Sequence, residues 1–365
     1  MHEWIDTPAA LAAWMTAHGS AAAVIGLDTE FMRTDTFRPR LALVQVNVGG
    51  SIALLDSPAL GDHAALAQRL SQADAVCVMH SASEDLEALA EVLPDGPAQL
   101  FDTQIAAALA GLGAGLSYQK LVALLLGIDL PKAETRSDWL RRPLSSAQLD
   151  YAAQDVVHLS ELHAQLTAKL DALGRGAWLA EDCRRLIDKV RRSEPDLQPQ
   201  RAFRTASDWP RERQALLRRV LLWREASART LDKPRSWILD DARALSFVSS
   251  PPADGNDLFE RSKGLRALRS PQRHELQALL QAPLTAEESD IAPIPAPFNS
   301  AEKRLINDLR DEVALIAAKH ELPEGLLCPR RHLETLVGDK AWPAALEGWR
   351  RELLFDALMG KVRAA

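Results

Sequence analysis

Asp28 and Glu30 have the residue types and the spacing to hold a metal ion. They belong to Asp28-Thr29-Glu30, at the end of the apolar run 22–28, which predicts a strand. Residues i and i+2 of a strand point to one face of the sheet, so the two carboxylates share a face. Such a pair suits a hard cation such as Mg²⁺. With 50 acidic residues in 365, one pair also arises by chance, so a metal site needs further ligands from elsewhere in the chain.

Two further segments supply candidates for those ligands. His80 ends the apolar run 74–80, and Asp85 follows in the first turn of a predicted helix. Asp85 is either a third metal ligand or a residue that complements the helix dipole. Tyr151 and Asp155 are spaced i, i+4, which places them on one face of a later helix. The chain has only two tyrosines, so this pairing is informative; its alternative is a core tyrosine beside an ion-paired aspartate.

The elements that must position these residues alternate between strands and helices. β-rich apolar runs predict strands at 22–28, 41–48, 51–56, 74–80 and 100–102, with a hairpin at Gly49-Gly50. Apolar periodicity and helix-capping residues predict helices over 64–70, 83–92, 102–110, 117–126 and 145–170, with Ser83 as an N-cap. Antiparallel strands followed by β/α alternation predict an α/β domain with a mixed sheet.

The rest of the chain is predicted to be helical. Strand signals stop near residue 171, and helices are expected at 177–190, 211–231 and 300–320. The stretch 281–298 contains four prolines and predicts an extended linker. Two small all-α helical bundles are therefore expected after the α/β domain.

Charge and cysteine content narrow the class of protein. Acidic residues predominate in 1–170, whereas basic residues predominate in 171–280. This fits a metal site beside a polyanion-binding surface, or composition drift between domains. Three widely spaced cysteines form no zinc or disulfide pattern, so a reducing, cytoplasmic location is expected. The sequence shows no signal-peptide pattern and no apolar run near the ~20 residues of a membrane span, so no membrane partner is expected.

In this order, the three segments resemble the motifs of the DEDDy family of 3′–5′ exonucleases. The first motif matches LDTEFMRTDTFRPRLALVQV (27–46), the second HSASEDLEAL (80–89) and the third SDWLRRPLSSAQLDYAAQDVVHL (137–159). FDTQIAAALAG (101–111) also fits, and the ribonuclease D branch is the most similar. The resemblance covers nearly all of residues 1–170.

The resemblance implies a fold and a domain order. A ribonuclease H-like mixed sheet with flanking helices is expected in the exonuclease domain. The segment LLWREASARTLDKPRSWILDD (221–241) resembles the helicase-and-RNase-D C-terminal (HRDC) domain, a helical nucleic-acid-binding module. The expected order is an exonuclease domain at 1–170, a helical connector at 171–207, a first HRDC domain at 208–284, a Pro-rich linker at 285–298 and a second HRDC-like domain at 299–365.

The same resemblance implies two divalent cations, Mg²⁺ or Mn²⁺, as cofactors. Their implied ligands are Asp28, Glu30, Asp85 and Asp155, with Asp28 bridging both ions. Tyr151 is the fifth implied catalytic residue, and its hydroxyl orients the attacking water. Two such ions activate water and stabilise the charge that develops on the phosphate.

The candidate substrate-binding residues each have an alternative, structural interpretation. Phe31 and Met32 come after the acidic pair, where they either stack on the terminal nucleotide or pack in the core. His80 either contacts the scissile phosphate or is a satisfied strand-end histidine, whereas Arg136 and Arg141 are candidates for phosphate contacts. Eight basic residues on or beside the helix at 211–231 form a candidate RNA-binding patch: Arg211, Arg213, Arg218, Arg219, Arg224, Arg229, Lys233 and Arg235.

The expected function is that of a metal-dependent 3′–5′ exoribonuclease that releases 5′-nucleoside monophosphates. By the resemblance, its substrates are the 3′ ends of tRNA precursors and other small structured RNAs, and the chain is expected to act as a monomer. The alternatives are a DNA 3′–5′ exonuclease and a catalytically inactive RNA-binding module. Residue types alone do not separate RNA from DNA, because only a few contacts read the 2′-hydroxyl.

Overall fold

The computed structural model describes residues 2–19, 21–131, 137–192 and 195–364, which fold into two compact units. Unit 1 draws on residues 1–32, 40–193 and 300–365, and unit 2 on residues 33–39 and 194–299. Unit 1 therefore combines the α/β part of the chain with its last helices. Within the described ranges, no helix has the length and apolar character needed to cross a bilayer.

Unit 1 is built on one six-stranded mixed sheet. The strands are β1 (His2–Ile5), β2 (Val24–Met32), β3 (Arg40–Val48), β4 (Ser51–Asp56), β5 (Val76–Met79) and β6 (Gln99–Asp102), in the order β1-β4-β3-β2-β5-β6. Strands β2, β3 and β4 form an antiparallel meander, whereas β1 is parallel to β4, and β5 and β6 are parallel to β2. The predicted mixed sheet with flanking helices is confirmed.

Helices account for most of the remaining described residues. Unit 1 begins with α1 (Pro8–Trp14), α2 (Ser57–Leu60), α3 (Ala64–Leu70), α4 (Ser83–Leu89), α5 (Thr103–Leu109), α6 (Tyr118–Leu126), α7 (Ser146–Val157), α8 (Leu159–Leu173) and α9 (Gly176–Arg191). Unit 2 contains α10 (Arg211–Leu231), α11 (Arg235–Ile238), α12 (Asp241–Ser249), α13 (Gly255–Arg261), α14 (Ser270–Gln281) and α15 (Ala286–Ser289). Unit 1 ends with α16 (Ser300–Lys319), α17 (Glu324–Leu327), α18 (Arg330–Asp339) and α19 (Trp349–Ala364).

Helices α4 and α7 cover opposite faces of the sheet. Asn47 pairs with Gly26 across β2 and β3, so its side chain lies on the same face as Asp28. The Asn47 amide donates to the carbonyl of Val156 in α7 at 2.8 Å. Thr29 points to the other face, where its hydroxyl bonds to Asp85 of α4. Strand β2 therefore presents functional groups to helices on both sides.

The prediction of one continuous helix over 145–170 is wrong, because α7 and α8 meet at His158. The Tyr118 hydroxyl donates to the Gln154 carbonyl at 3.2 Å and accepts from the His158 backbone N–H at 3.1 Å. The Asn47 amide bonds to the Val157 carbonyl at 3.1 Å. These side chains replace backbone hydrogen bonds that a continuous helix would make, so the break needs neither proline nor glycine.

Unit 2 is a helical bundle around α10. Its core includes Leu221, Phe247 and Leu276. Ile294 also packs in this core, and its N–H donates to the Gln214 side chain at 2.8 Å. The stretch 281–298, predicted as an extended linker, contains α15, and an apolar residue between its prolines is buried against the bundle. Its role as a linker between domains stays a prediction.

Helix α19, the last helix of unit 1, packs against α9. Trp349 stacks on Trp178 with ring centroids 4.6 Å apart. The neighbouring Arg350 forms a two-pronged ion pair with Asp182, and its Nη2 lies 2.9 Å from Oδ2. Both partners of this pair are buried. A desolvated pair of this kind fixes the register between α9 and α19.

Candidate active site

The acidic segment Asp28–Glu30 runs past the end of a neighbouring strand. Strand β5 pairs only with Val24–Gly26, whereas β3 follows β2 as far as Met32. The β2–β3 register shifts between Glu30 and Phe31, which marks a bulge directly after the acidic pair. The carboxylates of this segment are therefore positioned by a sheet whose edge opens beside them.

Asp85 is held in place from strand β2. It lies in the first turn of α4 and is 9% exposed. The Thr29 hydroxyl donates to its Oδ1 at 2.6 Å. Thr29 is itself buried, so this hydrogen bond forms away from bulk solvent. The middle residue of Asp-x-Glu thus orients a carboxylate from the second motif.

Asp102 fixes the turn from which Asp85 projects. Its carboxylate accepts hydrogen bonds from the backbone N–H groups of Ser81 and Ala82, at 3.2 and 2.8 Å. It also caps α5 through Gln104, at 2.8 Å. The predicted N-cap Ser83 is wrong, since α4 starts after Ala82 without a side-chain cap. Asp102 instead holds the two residues that precede α4 from a neighbouring strand.

Tyr151 and Asp155 lie together on α7. The Tyr151 hydroxyl hydrogen-bonds to the Asp155 carboxylate. Burial raises the pKa of both groups, and this hydrogen bond offsets part of the rise for Asp155. The Tyr151 ring lies 6.1 Å from the buried ring of Trp139. Helix α7 begins with a capping box between Ser145 and Gln148. The i, i+4 pairing predicted from the sequence is therefore formed.

The four carboxylates lie close enough to perturb one another. Burial, and then the charges of Asp85, Asp155 and Glu30, hold the pKa of Asp28 well above its ordinary value. Burial and the neighbouring aspartates raise the pKa of Glu30 to about 8. The pKa of Asp155 is about 7 and that of Asp85 about 6, with burial as the main cause in both. Carboxylates clustered in such a poorly hydrated site favour the binding of protons or of a cation.

The donor types fit a hard divalent cation. All four side chains offer carboxylate oxygens, which Mg²⁺ and Mn²⁺ prefer, whereas zinc sites use His and Cys more often. As they stand in the described part of the chain, no three Asp, Glu, His or Cys side chains are placed to hold an ion. Ionised carboxylates repel one another, so these side chains must close on a cation to bind it.

The predicted substrate residues fall in different surroundings. Phe31 and Met32 are half-buried at the end of β2, next to the acidic pair. Both ring nitrogens of His80 are within hydrogen-bond distance of protein atoms, namely Thr103 Oγ1 at 2.9 Å and the Leu116 carbonyl at 3.0 Å. His80 is thus placed as a satisfied strand-end histidine. Arg141 is exposed near α7, and Arg136 lies outside the described residues.

A cleft of about 520 Å³ opens beside Tyr151 and Asp155. Its other walls include Ile128, Leu130 and Pro131. An apolar wall facing a carboxylate and a hydroxyl gives room for a base or sugar next to the acidic cluster.

The eight basic residues around α10 are largely engaged inside unit 2. Arg219 is buried and forms an ion pair with Glu288. Arg229 and Arg235 share Glu225, and both lie over the Phe37 ring. Other contacts join Arg211 to the Ile291 carbonyl, Arg213 to the Trp209 ring, Arg218 to the Leu197 carbonyl, Arg224 to Asp241 and Lys233 to the Asp35 carbonyl. Four of the eight, namely Arg219, Arg224, Arg229 and Arg235, are therefore held in ion pairs within unit 2.

Four residues that hold the site are not among the site residues predicted from the sequence: Thr29, Asn47, Asp102 and Tyr118. Thr29 and Asp102 lie inside the matched segments, and their buried polar character is visible only in the fold. Asn47 is a polar residue in an apolar strand, and Tyr118 is the second of only two tyrosines. A polar residue inside an apolar run is the signal that points to such positions.

The fold places these carboxylates at the end of strand β2, and a family model described as "3'-5' exonuclease" matches residues 2–171. Ribonuclease D of Xanthomonas oryzae pv. oryzae is 43% identical over 365 residues, covering 100% of this chain and 99% of the relative. Ribonuclease D of Pseudomonas paraeruginosa is 33% identical over 374 residues, covering 100% and 98%. The chain belongs to the ribonuclease D family.

A solved structure agrees with this assignment. The crystal structure of Escherichia coli RNase D, described as "an exoribonuclease involved in structured RNA processing", matches with a TM-score of 0.87 and 27% identity, covering 100% of this chain and 99% of that one. The chain is therefore a metal-dependent 3′–5′ exoribonuclease. The alternatives of a DNA exonuclease and an inactive RNA-binding module are set aside.

Proposed function

We propose that Asp28, Glu30, Asp85 and Asp155 hold two divalent cations, Mg²⁺ or Mn²⁺, and that the enzyme releases 5′-nucleoside monophosphates one at a time. When bound, such cations supply an activated water and neutralise charge on the reacting phosphate. The observation that carries the proposal is the convergence of four carboxylates from β2, α4 and α7: Thr29 holds Asp85 beside β2 at 2.6 Å, and the charges of Asp85, Asp155 and Glu30 reach Asp28. Acidic groups that share a buried site in this way are matched to a cation.

Tyr151 is the proposed positioning group for the attacking water. Burial and the nearby carboxylates raise its pKa, so the hydroxyl stays protonated at neutral pH. It therefore offers a hydrogen-bond donor and acceptor rather than a base. Its hydrogen bond to Asp155 and its contact with the Trp139 ring restrict where the hydroxyl points.

The substrate proposed is the 3′ end of tRNA precursors and other small structured RNAs. Phe31 and Met32 are proposed to pack on the terminal nucleotide, and Arg136 and Arg141 to contact phosphates. His80 is proposed to act by supporting the loop at Leu116, because both of its ring nitrogens face protein atoms. The cleft beside Tyr151 supports a subsite for the end of the strand.

The remaining domain assignments are also proposals. Residues 208–284 are proposed as the first HRDC domain and 299–365 as a second HRDC-like domain, after the exonuclease domain at 1–170 and the connector at 171–207. The grouping of 300–365 with the exonuclease part supports a structural task for the last module. We also propose that the enzyme acts as a monomer in the cytoplasm, where its three buried free thiols stay reduced.

A nuclease assay tests this function. A 5′-labelled RNA with a free 3′-hydroxyl is incubated with Mg²⁺, with Mn²⁺ and with EDTA, beside Asp155→Asn and the exposed control Asp171→Asn. The expected result is a ladder of single-nucleotide steps with 5′-monophosphate products, lost with EDTA and in Asp155→Asn only. A tRNA precursor and a DNA strand of equal length provide the substrate comparison. Equal turnover of all three strands would contradict the proposed preference.

A further inference from the structure

Gln45 is a fully buried polar residue in the middle of strand β3. Its side chain is 0% exposed. Within the described chain, neither its Oε1 nor its Nε2 has a hydrogen-bond partner. Buried amides are nearly always hydrogen-bonded, because leaving one unsatisfied forfeits its hydration without replacement. A partner for this amide is therefore expected in the working enzyme.

The position of Gln45 narrows the choice of partner. Gln45 is the direct cross-strand partner of Asp28, so the two side chains lie on the same face of the sheet. Its other neighbours within the sheet on that face are apolar or already paired. Leu54 faces it from β4 and Leu43 precedes it by two residues, whereas Asn47 is bonded to α7 and to the Gly50 N–H. The buried residues of α7, which covers this face, are apolar. Among its sheet neighbours on this face, Asp28 is the one that offers a carboxylate.

We propose that Gln45 is a positioning residue of the metal site: its amide N–H₂ donates to the Asp28 carboxylate when that carboxylate binds a cation. This inference rests on the proposed metal-binding role of Asp28. Directly opposed side chains in an antiparallel pair have Cβ atoms about 4.5–5.5 Å apart, which a glutamine amide spans. Groups that orient a metal ligand in this way tune the affinity of the whole site.

The choice of glutamine has a physical reason. A neutral donor stabilises one orientation of the Asp28 carboxylate without adding charge. A lysine or arginine at position 45 would compete with the cation for the same oxygen atoms. An acidic residue would add a further like charge beside Asp28, whose carboxylate already lies near those of Asp85, Asp155 and Glu30.

The test separates metal binding from stability. Mn²⁺ binding to the RNA-free enzyme is titrated by electron paramagnetic resonance for wild type, Gln45→Leu and Gln45→Met. Urea unfolding in EDTA is measured on the same samples. Leu43→Met is the matched control, because Leu43 lies on the same strand and face, opposite Glu30. Asp155→Asn reports on the metal site itself.

The expected result is a Mn²⁺ affinity about 10- to 100-fold weaker in both Gln45 variants. Stability in EDTA should be unchanged or higher, because an apolar side chain removes an unsatisfied buried amide. Leu43→Met should bind Mn²⁺ like wild type. The same Gln45 variants should lower kcat with little change in KM at limiting Mg²⁺ and recover at high Mg²⁺.

Three other outcomes would overturn either the role of Gln45 or the proposed metal site. Wild-type Mn²⁺ affinity in the Gln45 variants, with loss of affinity in Asp155→Asn, would overturn the role of Gln45 and leave the metal site standing. Weaker binding in Leu43→Met of the same size would show that Gln45 acts only through packing. Absence of Mn²⁺ binding by the wild-type enzyme would overturn the proposed metal site first. If Gln45→Leu does not fold, the flexible Gln45→Met decides.

Discussion

The Thr29 hydroxyl donates a hydrogen bond of 2.6 Å to the Asp85 carboxylate, 56 residues further along the chain. Thr29 lies between two proposed metal ligands, so one strand carries Asp28 and Glu30 on one face and the support for Asp85 on the other. The hydrogen bond also lowers the pKa of Asp85 against the rise caused by burial. Strand β2 therefore determines the placement of three of the four carboxylates.

Replacing Thr29 by valine tests this relationship. The shape is kept but the hydroxyl is lost, so Asp85 loses its orienting donor and its pKa rises further. We expect activity to fall by about 10- to 100-fold, as for other groups that support metal ligands. We also expect the Mg²⁺ concentration for half-maximal rate to increase. Thr29→Ser keeps the hydroxyl and should retain most activity; a Thr29→Val enzyme with wild-type metal dependence would contradict the role of this bond.

The raised carboxylate pKa values predict how stability depends on pH without metal. A carboxyl group whose folded pKa exceeds its unfolded value binds more protons in the folded state, so stability falls as pH rises between the two values. Here the window runs from about pH 4 to about pH 8, the latter set by Glu30. In EDTA, these carboxyl groups should therefore lower the urea midpoint from pH 5 to pH 8. Four histidines whose pKa values are lowered by burial act in the opposite direction, namely His63, His80, His163 and His332.

Metal and one substitution provide the controls for that profile. Mn²⁺ should restore stability most strongly near pH 8, because the cation replaces the protons that the carboxylates have lost. Asp155→Asn removes one of the like charges, so its stability in EDTA should depend less on pH than that of wild type. The same pH dependence in EDTA for wild type and Asp155→Asn would contradict the clustering of these groups.

Asp102 is expected to be essential for folding around the second motif. Its buried carboxylate serves backbone N–H groups at two helix starts. Asp102→Ala leaves these donors unsatisfied, and we expect a loss of about 3 kcal/mol in the free energy of unfolding. Asp95→Ala, an exposed change in the preceding turn, should stay within about 0.5 kcal/mol of wild type. Equal urea midpoints for the two variants would show that the hydrogen bonds of Asp102 do not contribute to stability.

The sheet and the acidic positions were predictable from the sequence because their signals are local. Runs such as 41–48 and 51–56 alternate with turn residues, and Asp28 directly follows an apolar run. The matched motifs then linked Asp85 and Asp155 to the same site. None of these inferences requires knowledge of which side chains meet across the fold.

The structural features that were not predicted from the sequence depend on contacts between residues far apart in the chain. The break at His158 comes from Asn47 and Tyr118, which lie far from it along the chain. Arg219 reads as a surface charge in a helix, yet it is buried against Glu288. Helical periodicity places a residue on a face but does not say what covers that face. For the same reason, a basic stretch of sequence overstated the free positive charge around α10.

The two tyrosines are expected to behave differently when each loses its hydroxyl. Tyr118→Phe removes the group that bridges Gln154 and His158 at the end of α7. We expect it to cost about 1–2 kcal/mol of stability. Tyr151→Phe should leave stability within about 0.5 kcal/mol, since that hydroxyl contacts an exposed cleft, but should lower kcat by roughly 100-fold or more. The free energy of unfolding and the single-turnover rate are measured for both variants, which separates the two roles. A Tyr151→Phe enzyme with a kcat near that of wild type would contradict the role of Tyr151 in positioning water.

The buried pair between Asp182 and Arg350 is expected to transmit the docking of the last helices to the active site. Asp182 precedes Cys183, whose sulfur accepts from the Asp102 backbone N–H at 3.4 Å, and Asp102 holds the turn before Asp85. Asp182→Ala leaves Arg350 buried without a counter-charge, so we expect a loss of about 3–5 kcal/mol. The double variant Asp182→Leu, Arg350→Leu removes both charges and should be more stable than Asp182→Ala. Urea unfolding and exonuclease rates are measured on wild type, Asp182→Ala and the double variant. Stability could fall in Asp182→Ala while kcat at saturating Mg²⁺ is unchanged. The ion pair would then hold α19 on α9 without affecting the catalytic carboxylates. That result would contradict the proposed coupling through Cys183 and Asp102.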